Sequence, residues 1–326
     1  MKIIADEKIP LVQDYFGKNN ELILKPGRTL SHDDVKEADM LLVRSVTRVN
    51  ETLLKDTAVK FVGSVSAGID HLDIEWLNKK NIMWRAAQGS NAAAVAQYVL
   101  CVIAALQKMK LLAEKNLRAG VIGVGFVGKE VVEKLKMLGI EVFQNDPFRA
   151  DAEKDFISTS LEKFNEFDLI LLHTPLTRDG KYPTHHLIDK NFLKKQKKHS
   201  VLLNAGRGAV IDSDALKKYG KHLVCCLDVW ENEPNIDREI LNFATIATPH
   251  IAGHTIQAKN RATKMIFDAA VNAGFGVKCK FNVKNIYSGM TLDPVFVTEE
   301  FKKFPEEFDR LREKFGKRDE FKFVKQ

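Results

Sequence analysis

The sequence has few cysteines, and none lies in a metal-binding or redox arrangement. Only four of the 326 residues are cysteine, and Cys101, Cys225, Cys226 and Cys279 show neither a CxxC pair nor a ligand spacing. Three of the four lie in apolar surroundings, so the sequence predicts reduced core thiols rather than a disulfide framework or a zinc site. We therefore expect a reducing compartment and no metal.

Long apolar runs and a strong excess of one charge are also lacking. The longest apolar stretch, residues 92–106, is interrupted by Gln97 and is too short to cross a bilayer comfortably. The first seven residues already contain Asp6 and Glu7, which is unlike the core of a signal peptide. The net charge of +7 comes from scattered bases interleaved with acids, which does not predict nucleic-acid binding. We expect a cytoplasmic protein that binds neither membrane nor nucleic acid.

A glycine-rich loop between a predicted strand and a predicted helix is the most informative stretch. The loop reads Gly123-x-Gly125-x-x-Gly128, which is the pattern of a dinucleotide-binding site. In such a site the first glycine makes the tight turn and the second lets the backbone approach a pyrophosphate. The third lets helix and strand pack closely, and the helix N-terminus offers unpaired N–H groups to the phosphates. Phe126 and Val127, between these glycines, belong to the predicted cofactor site. An ordinary βαβ unit with incidental glycines is the alternative.

The identity of the nucleotide is predicted from Asp146, which lies 18 residues past Gly128 and just beyond a predicted strand at 141–144. Its carboxylate can accept hydrogen bonds from the adenosine ribose hydroxyls, and its charge disfavours a 2′-phosphate at that position. The sequence therefore predicts NAD rather than NADP. Arg149 and Lys154 nearby keep NADP open as an alternative.

Strand and helix patterns alternate along most of the chain, which predicts two Rossmann-like or flavodoxin-like α/β domains. The second domain should contain a doubly wound, six-strand parallel sheet. A helix at 255–273 is long enough to return the chain to the first domain, and one at 305–315 is amphipathic. That last helix could contact a second copy of the chain or pack on its own chain. The predicted strands are 2–5, 21–24, 40–43, 61–64, 82–85, the two that flank the glycine loop, 169–173, 201–204, 223–227 and 245–248.

Three polar residues with acid/base or anion-binding chemistry follow the late predicted strands. An imidazole backed by a carboxylate is a usual general acid/base pair, which His250 and Glu233 could form. The guanidinium of Arg207 could bind a substrate carboxylate through paired hydrogen bonds. Taken singly, each has an alternative: Glu233 as a helix-start charge, His250 as a buried turn residue and Arg207 as a surface arginine.

The stretches around these residues resemble a known family. NAGRGAVID, DVWENEP and TPHIAG, in that order after GVGFVG, are similar to the D-isomer-specific 2-hydroxyacid dehydrogenases. Further stretches resemble one branch of that family, the erythronate-4-phosphate dehydrogenases: LLVRSVTRVNETLL, VKFVGSVSAGIDHLD, HTPLTRDGKYPTHHLI and PEEFDRLREKF. The resemblance covers residues 1–281 nearly continuously and returns near the C-terminus.

The resemblance implies a bilobed fold, with the active site in a deep cleft between two α/β domains, and assigns roles to matching positions. Arg207 would hold the substrate carboxylate, His250 would take the proton from the C2 hydroxyl, and Glu233 would partner His250. The positions that would contact or flank NAD are Asp146, Thr174, Ala205, Gly206, Asp228 and Gly253.

Two loops ahead of the glycine-rich stretch are candidates for substrate contact. Arg44-Ser45 and Ser64–Gly68 each follow a predicted strand and offer hydroxyls, backbone N–H groups and one guanidinium to an anion. Plain surface loops are the alternative from composition alone. The resemblance implies substrate contacts for Ser45 and for Ser66, which replaces a usual Thr. His254 stands where the branch usually has a substrate-contacting Tyr.

The resemblance also implies the activity and the domain roles. The reaction would be NAD-dependent oxidation of 4-phospho-D-erythronate to 2-oxo-3-hydroxy-4-phosphobutanoate, a step in vitamin B6 biosynthesis. Residues 1–90 and 256–281 would bind substrate, 91–255 would bind NAD, and 282–326 would form a short C-terminal extension that serves a homodimer. The alternatives are another D-2-hydroxyacid dehydrogenase of the glycerate or phosphoglycerate type, and a non-catalytic NAD-sensing protein.

Overall fold

The computed structural model describes residues 1–278 and 288–321, which fall into two compact α/β units. Met1–Asn91 and Ile256–Tyr287 form the first unit, and Ala92–Thr255 and Ser288–Gln326 form the second. Each contains one parallel sheet, so the predicted class of two α/β domains is confirmed. Cys279 lies outside the described residues, and Cys101, Cys225 and Cys226 are free thiols.

The first sheet has the strand order β2-β1-β3-β4-β5, and the second has the order β11-β10-β9-β8-β6-β7. Every pairing within them is parallel. The strands in chain order are β1 Lys2–Asp6, β2 Glu21–Lys25, β3 Met40–Val43, β4 Phe61–Ser64, β5 Met83–Ala86, β6 Arg118–Ile122, β7 Glu141–Asn145, β8 Leu169–Leu172, β9 Val201–Asn204, β10 Val224–Leu227 and β11 Ile246–Ala247.

The α-helices flank both sheets, and short 3₁₀ turns lie at Gly27–Thr29, Leu161–Glu166, Gly208–Val210 and Pro305–Glu307. In chain order the α-helices are α1 Val12–Phe16, α2 His32–Val35, α3 Glu51–Leu54, α4 Ile74–Lys79, α5 Ala92–Lys108, α6 Phe126–Met137, α7 Pro147–Ala152, α8 Lys190–Lys195, α9 Ser213–Tyr219, α10 Arg238–Phe243, α11 Ile256–Asn272, α12 Pro294–Lys303 and α13 Phe308–Phe315.

Both sheets are apolar on their two faces, as buried parallel sheets require. In β1, Ile3 and Ala5 pack into one core of the first unit, and Ile4 packs into the other. In β8 of the second unit, Ile170 and its neighbour Leu171 likewise enter opposite cores. The period of two residues that defines a strand therefore accounts for two apolar layers around each sheet.

The sequence-based boundaries need correction in two places. The sequence predicts a helix from about Asn91 to Ala113, but α5 ends at Lys108, five residues earlier, and a turn follows. The helical spacing of Val131, Leu135 and Leu138 predicts one shared buried face, but Leu138 is the C-cap residue of α6 and is 57 % exposed. The helix ends there because Gly139 takes a φ of +73°, a left-handed conformation that glycine adopts without strain.

The C-terminal helices pack on the second unit. Val297 and Phe301 of α12 and Leu311 of α13 lie in the same core as the strands β8 and β9. The apolar face predicted for 305–315 is therefore covered by the chain's own core, and it needs no second copy to bury it. Among the described helices, none combines the length and the apolar composition that a bilayer crossing needs.

Packing of α12 on this core can be tested with two phenylalanines of the same helix. Phe301 is fully buried, whereas Phe296 is 48 % exposed. Phe301→Ala should lower the free energy of unfolding by about 3–5 kcal/mol, the usual cost of removing a buried phenyl ring. Phe296→Ala is the control and should cost much less. Equal denaturation midpoints for the two variants would show that α12 does not belong to the core.

Candidate active site

The strand order of the second sheet brings the three predicted catalytic residues to neighbouring loops. Arg207 follows β9, Glu233 follows β10 and His250 follows β11, and these strands are adjacent. The first two loops also touch, because a Cβ on Gly208 would lie 1.9 Å from the Trp230 carbonyl carbon. The carboxyl edge of the sheet therefore holds these residues in one region, where parallel sheets usually bind ligands.

His250 and Glu233 form a hydrogen-bonded pair. The distance from His250 Nδ1 to Glu233 Oε2 is 2.7 Å, and Glu233 Oε1 accepts a second hydrogen bond of 2.8 Å from the Trp230 N–H. Because an ionised carboxylate only accepts, His250 donates through Nδ1 and keeps Nε2 for a reacting group. The imidazole is 27 % exposed, so substrate can reach it.

The ionised form of Glu233 is favoured by its surroundings. Burial alone would raise the pKa of this carboxyl group, but the His250 ring, the Trp230 N–H and the charge of Arg312 together lower the pKa below its usual value. The carboxylate is thus suited to orient the imidazole and to stabilise the imidazolium that forms when His250 accepts a proton.

A buried carboxylate, Asp228, holds the loop that carries His250. Its side chain is 1 % exposed, and Oδ1 accepts hydrogen bonds from Thr248 Oγ1 at 2.6 Å and from the Ile251 N–H at 2.7 Å. Oδ2 accepts from the Ala252 N–H at 2.9 Å. Since the Thr248 hydroxyl donates to Asp228, the Tyr98 hydroxyl donates to Thr248, at 2.8 Å. Burial raises the pKa of Asp228, and the hydrogen bonds and the nearby His250 oppose that shift.

Arg207 and His254 lie at the same edge of the sheet. The backbone of Arg207 is held by Asn204, whose amide donates to the Arg207 carbonyl at 2.9 Å, and Arg207 Nη1 donates to the Gly206 carbonyl at 2.9 Å. The His254 ring lies edge-on to the His250 ring, with centroids 6.1 Å apart. The residue that departs from the branch pattern is therefore a direct neighbour of His250.

The glycine loop has the close packing that the dinucleotide fingerprint requires. Gly123 has a φ of +84°, and a Cβ there would lie 2.8 Å from the backbone of His173 and Thr174. A Cβ on Gly128 would lie 2.0 Å from the Gly123 carbonyl oxygen, whereas one on Gly125 would meet no atom within 4 Å. Open space at Gly125 is what the approach of a pyrophosphate needs.

Asp146 lies directly beside this loop. Its Oδ2 accepts a hydrogen bond of 2.8 Å from the Val124 N–H, and its Oδ1 caps α7 by accepting from the Arg149 N–H at 3.1 Å. The Arg149 guanidinium pairs with Glu153 and donates to the Val124 carbonyl at 3.3 Å. The Arg149 guanidinium is thus engaged by Glu153 and the Val124 carbonyl, and the Asp146 carboxylate makes the shorter hydrogen bond to the loop.

Two buried polar side chains at the same edge have no protein partner. Among the described residues, neither the Thr174 hydroxyl nor either ring nitrogen of His173 finds a hydrogen bond. Burial lowers the pKa of His173 to about 4, so its ring is neutral at physiological pH. Buried polar groups without partners are costly, and a polar ligand bound beside the glycine loop would satisfy them. These residues fit a dinucleotide.

In the first unit, the structure brings together the two loops predicted to contact substrate. The Ser45 N–H donates to Ser66 Oγ at 2.9 Å, which joins the ends of β3 and β4. Arg44 donates from Nε to Oδ2 of Asp6 at 2.9 Å, and Asp6 is 1 % exposed. Arg44, 29 % exposed, is therefore paired with a buried carboxylate, and among the described residues its two terminal amino groups have no other partner.

A second histidine–glutamate pair includes Glu231, two residues before Glu233 in the chain. His186 Nε2 is 3.0 Å from Glu231 Oε1, and the rings of His185 and His186 stack with centroids 3.9 Å apart. Potential metal-ligand atoms of these three residues lie within 4.8 Å of one another. The predicted absence of a metal remains a prediction.

Comparisons with known proteins identify the family. Residues 68–252 match the family model described as D-isomer specific 2-hydroxyacid dehydrogenase, NAD binding domain. The chain belongs to this dehydrogenase family. It is 54 % identical over 269 residues to an erythronate-4-phosphate dehydrogenase of Coxiella burnetii, covering 82 % of this chain and 73 % of that protein. It is 42 % identical over 274 residues to the enzyme of the same name from Escherichia coli O157:H7, covering 82 % and 72 %.

Solved structures of dehydrogenases share the fold. NAD⁺-bound 3-phosphoglycerate dehydrogenase from Entamoeba histolytica superposes with a TM-score of 0.69 at 25 % identity, covering 87 % of this chain and 98 % of that one. D-lactate dehydrogenase from Aquifex aeolicus, complexed with NAD and lactic acid, gives a TM-score of 0.66 at 25 % identity, with 84 % and 96 % covered. The family membership and these NAD complexes agree with the glycine loop, and NAD is the cofactor.

Sequence reasoning did not find Tyr98, Thr248, Arg312 or Arg318, although all four lie around Asp228 or the His250 loop. Thr248 lies in TPHIAG and Arg312 in PEEFDRLREKF, but the resemblance assigns a role to neither. Tyr98 lies in an apolar helix and Arg318 in a Lys- and Glu-rich tail, where nothing in the local sequence predicts a contact with the His250 loop.

The two histidine–glutamate pairs provide a matched test of catalysis. His250→Ala should lower kcat by about 10²–10⁴, the usual range for losing a positioned acid/base group, with NAD binding nearly unchanged. His186→Ala removes the second pair and should leave kcat close to that of the unmodified protein. Steady-state kinetics with NADH absorbance would measure both. A His250→Ala variant that retains more than about a third of the turnover would exclude His250 from the mechanism.

Proposed function

We propose that this protein oxidises 4-phospho-D-erythronate with NAD, giving 2-oxo-3-hydroxy-4-phosphobutanoate in vitamin B6 biosynthesis. The observation that carries the proposal is the His250–Glu233 pair, at the carboxyl edge of an NAD-binding sheet, in a chain 54 % identical to an erythronate-4-phosphate dehydrogenase. A non-catalytic NAD-sensing protein has no need of this paired acid/base geometry, so the catalytic function is favoured.

The geometry allows the chain's own residues to remove the proton of a 2-hydroxy acid. His250 Nε2 accepts the proton of the C2 hydroxyl while Glu233 stabilises the imidazolium through Nδ1. Arg207 binds the C1 carboxylate in a paired geometry, which orients C2. NAD, when bound, supplies the acceptor for the hydride that leaves C2. The C2–H bond breaks and its two electrons leave with the hydride, the O–H bond breaks and its proton passes to His250, and the C2 carbonyl forms.

The residues that would hold NAD are those at the glycine loop and along the same edge of the sheet. Asp146 would accept hydrogen bonds from the adenosine ribose, and the buried Thr174 hydroxyl would gain the partner that it lacks. Contacts to NAD from Phe126, Val127, Gly253 and the Ala205–Gly206 backbone are proposed on the family match. Asp228 would act mainly through the loop, because its carboxylate already accepts three hydrogen bonds.

The phosphate at C4 needs donors of its own, and Arg44, Ser45 and Ser66 are proposed to supply them. Nε of Arg44 is used by Asp6, which fixes the guanidinium and leaves both Nη groups for a phosphate. The Ser66 hydroxyl accepts from Ser45 and can still donate its own hydrogen. His254, beside His250, is proposed to contact substrate in place of the Tyr usual in this branch.

The substrate can be tested by following NADH formation with three acids. We expect kcat/KM for 4-phosphoerythronate to exceed that for erythronate and 3-phosphoglycerate by at least tenfold. The reason is that a charged hydrogen bond to phosphate contributes about 1.5–3 kcal/mol, or roughly 10–150-fold. A preference for 3-phosphoglycerate would support the phosphoglycerate-type alternative, and NAD binding without turnover of any acid would support the sensing alternative.

The phosphate role of Arg44 predicts a selective loss. Arg44→Lys keeps a cation beside Asp6 but loses the planar fork, so KM for 4-phosphoerythronate should rise by roughly tenfold while activity on erythronate barely changes. Arg48→Ala, an exposed arginine of the same loop, is the control and should change neither. Equal losses of Arg44→Lys on both substrates would mean that Arg44 acts through Asp6 on the fold and not on the phosphate.

Homodimer formation remains a proposal that rests on the family resemblance, and a cytoplasmic location remains a proposal that rests on the cysteine usage and the N-terminal composition. The apolar face of α13 no longer supports the dimer, since Phe308, Leu311 and Phe315 are buried in the second unit. We likewise propose that the first unit binds substrate and the second binds NAD. This proposal rests on the resemblance and on the positions of Arg44 and the glycine loop.

A further inference from the structure

The C-terminal tail reaches the loop that carries His250. Arg312 of α13 donates from Nε to the His250 carbonyl at 3.2 Å. Arg318, a few residues beyond that helix, donates from Nη2 to the Ala252 carbonyl at 2.7 Å and, more weakly, to the Ile251 carbonyl at 3.4 Å. Three successive carbonyl groups therefore accept hydrogen bonds from two tail arginines.

The opposite side of the same peptide groups is held by Asp228. Its two oxygens accept the N–H groups of Ile251 and Ala252, and its own carbonyl accepts the N–H of His250 at 2.7 Å. Each of the three residues from His250 to Ala252 therefore donates its N–H to Asp228 and accepts a hydrogen bond at its C=O from a tail arginine. This arrangement leaves the loop backbone few ways to shift without breaking a buried hydrogen bond.

His250 needs such support because its backbone conformation is unfavourable. Its φ is +53°, in the left-handed region that residues with a side chain rarely adopt. A conformation of this kind persists only where the surrounding contacts determine it, and it is common at functional sites. The bonds from Asp228 and from the tail are contacts of that kind.

Arg318 is built into the unit, unlike an ordinary tail arginine. It is 1 % exposed, and burial lowers the pKa of its guanidinium while Asp228, Glu320 and Tyr98 favour the charged form. Its Nε has no partner among the described residues. A buried cation is costly, so its retention requires compensating contacts, which the two carbonyls and the Asp228 charge supply.

The tail segment around Arg318 is fastened on both sides. Glu320 accepts from Thr255 Oγ1 at 2.8 Å. Phe321 exchanges two hydrogen bonds with the Gln97 side chain, at 2.7 and 2.9 Å. Asp319 accepts from the Ser288 and Gly289 N–H groups at 2.8 and 2.7 Å. These contacts place the Arg318 guanidinium against the loop.

We propose that Arg312 and Arg318 are positioning residues for His250, so that the C-terminal tail sets the geometry of the acid/base group without contacting substrate or cofactor. The proposal rests on the proposed function, because it assigns His250 the proton transfer. Arg312 has a second effect, since its charge favours the ionised form of Glu233. Among the described residues, the titratable groups that act on the Glu233 carboxylate include His250 and Arg312, and Asp228 lies on the far side of the His250 loop.

The test uses full-length variants of three arginines. Arg312→Gln and Arg318→Met remove the donors to the loop, and Arg318→Lys keeps the charge. Arg310→Gln is the matched control, because Arg310 lies on α13 but pairs with Glu307 of the tail and is 61 % exposed. For each variant, kcat, KM, NAD affinity, the pH profile of kcat/KM and amide hydrogen exchange at Ile251 and Ala252 would be measured.

Arg312→Gln and Arg318→Met should lower kcat on the order of 10–100-fold, the loss expected for a displacement of about 1 Å, with KM and NAD affinity nearly unchanged. Arg318→Lys should recover part of that loss. In Arg312→Gln the acid limb of the profile should move to higher pH, because removing a cation makes the coupled Glu233–His250 pair easier to protonate. Exchange at Ile251 and Ala252 should quicken in both variants, and Arg310→Gln should match the unmodified protein throughout.

The proposal is overturned if Arg312→Gln and Arg318→Met behave like Arg310→Gln. It is also overturned if they lose NAD affinity and thermal stability in step with kcat, which would mean a general structural role. Should Arg318→Met fail to fold, the half-exposed Arg312 decides the point. If the unmodified protein does not oxidise 4-phosphoerythronate, the proposed function fails, while hydrogen exchange at Ile251 and Ala252 still shows whether the arginines hold the loop.

Discussion

The second unit depends on one buried carboxylate, Asp228, which follows β10 and binds the loop after β11. Burial raises the pKa of Asp228, while three hydrogen-bond donors and the neighbouring His250 and Arg318 favour its ionised form. Without this acceptor, the N–H groups of Ile251 and Ala252 would be buried and unpaired, at a cost of about 1–3 kcal/mol each. The hydrogen bonds to Asp228 therefore fix the backbone position of His250, and this position allows His250 to pair with Glu233.

The His250 loop is bonded on both sides and needs donors as well as acceptors, which explains why the tail arginines contact it. An ionised Asp228 can only accept hydrogen bonds, so the carbonyls of residues 250–252 need donors from elsewhere. Apolar packing alone would leave them unsatisfied. Arginine suits the task because its planar fork reaches two carbonyls at once and stays charged when buried. The helices α12 and α13 carry these arginines to the loop by packing apolar side chains into the core of the same unit.

The sequence was sufficient for the sheets and for the local motifs, and it was insufficient where contacts are long-range. β3, β4 and β9 begin and end where the apolar runs do, because a buried parallel strand is apolar on both faces. The Glu233–His250 bond follows from two motifs on adjacent strands. Arg318 could not be predicted, since it lies in a Lys- and Glu-rich tail and its partners are more than 60 residues away. The sequence does not predict helix α12 for the same reason. Its apolar residues pack against β11 and α5, which are distant in the sequence.

Both units use a buried carboxylate at the end of a strand to fix a neighbouring loop residue. In the first, Asp6 ends β1, is 1 % exposed and binds Arg44, which follows the adjacent strand β3. Gly27 lies so close to Asp6 that a Cβ would fall 2.0 Å from the carboxylate, so backbone rather than solvent covers it. In both units a buried carboxylate at the carboxyl end of one strand holds a residue, Arg44 or His250, that is proposed to act in the site and that follows the neighbouring strand. Because solvent cannot compete for such a carboxylate, its bonds are strong and directional, and a flexible loop residue acquires a defined position.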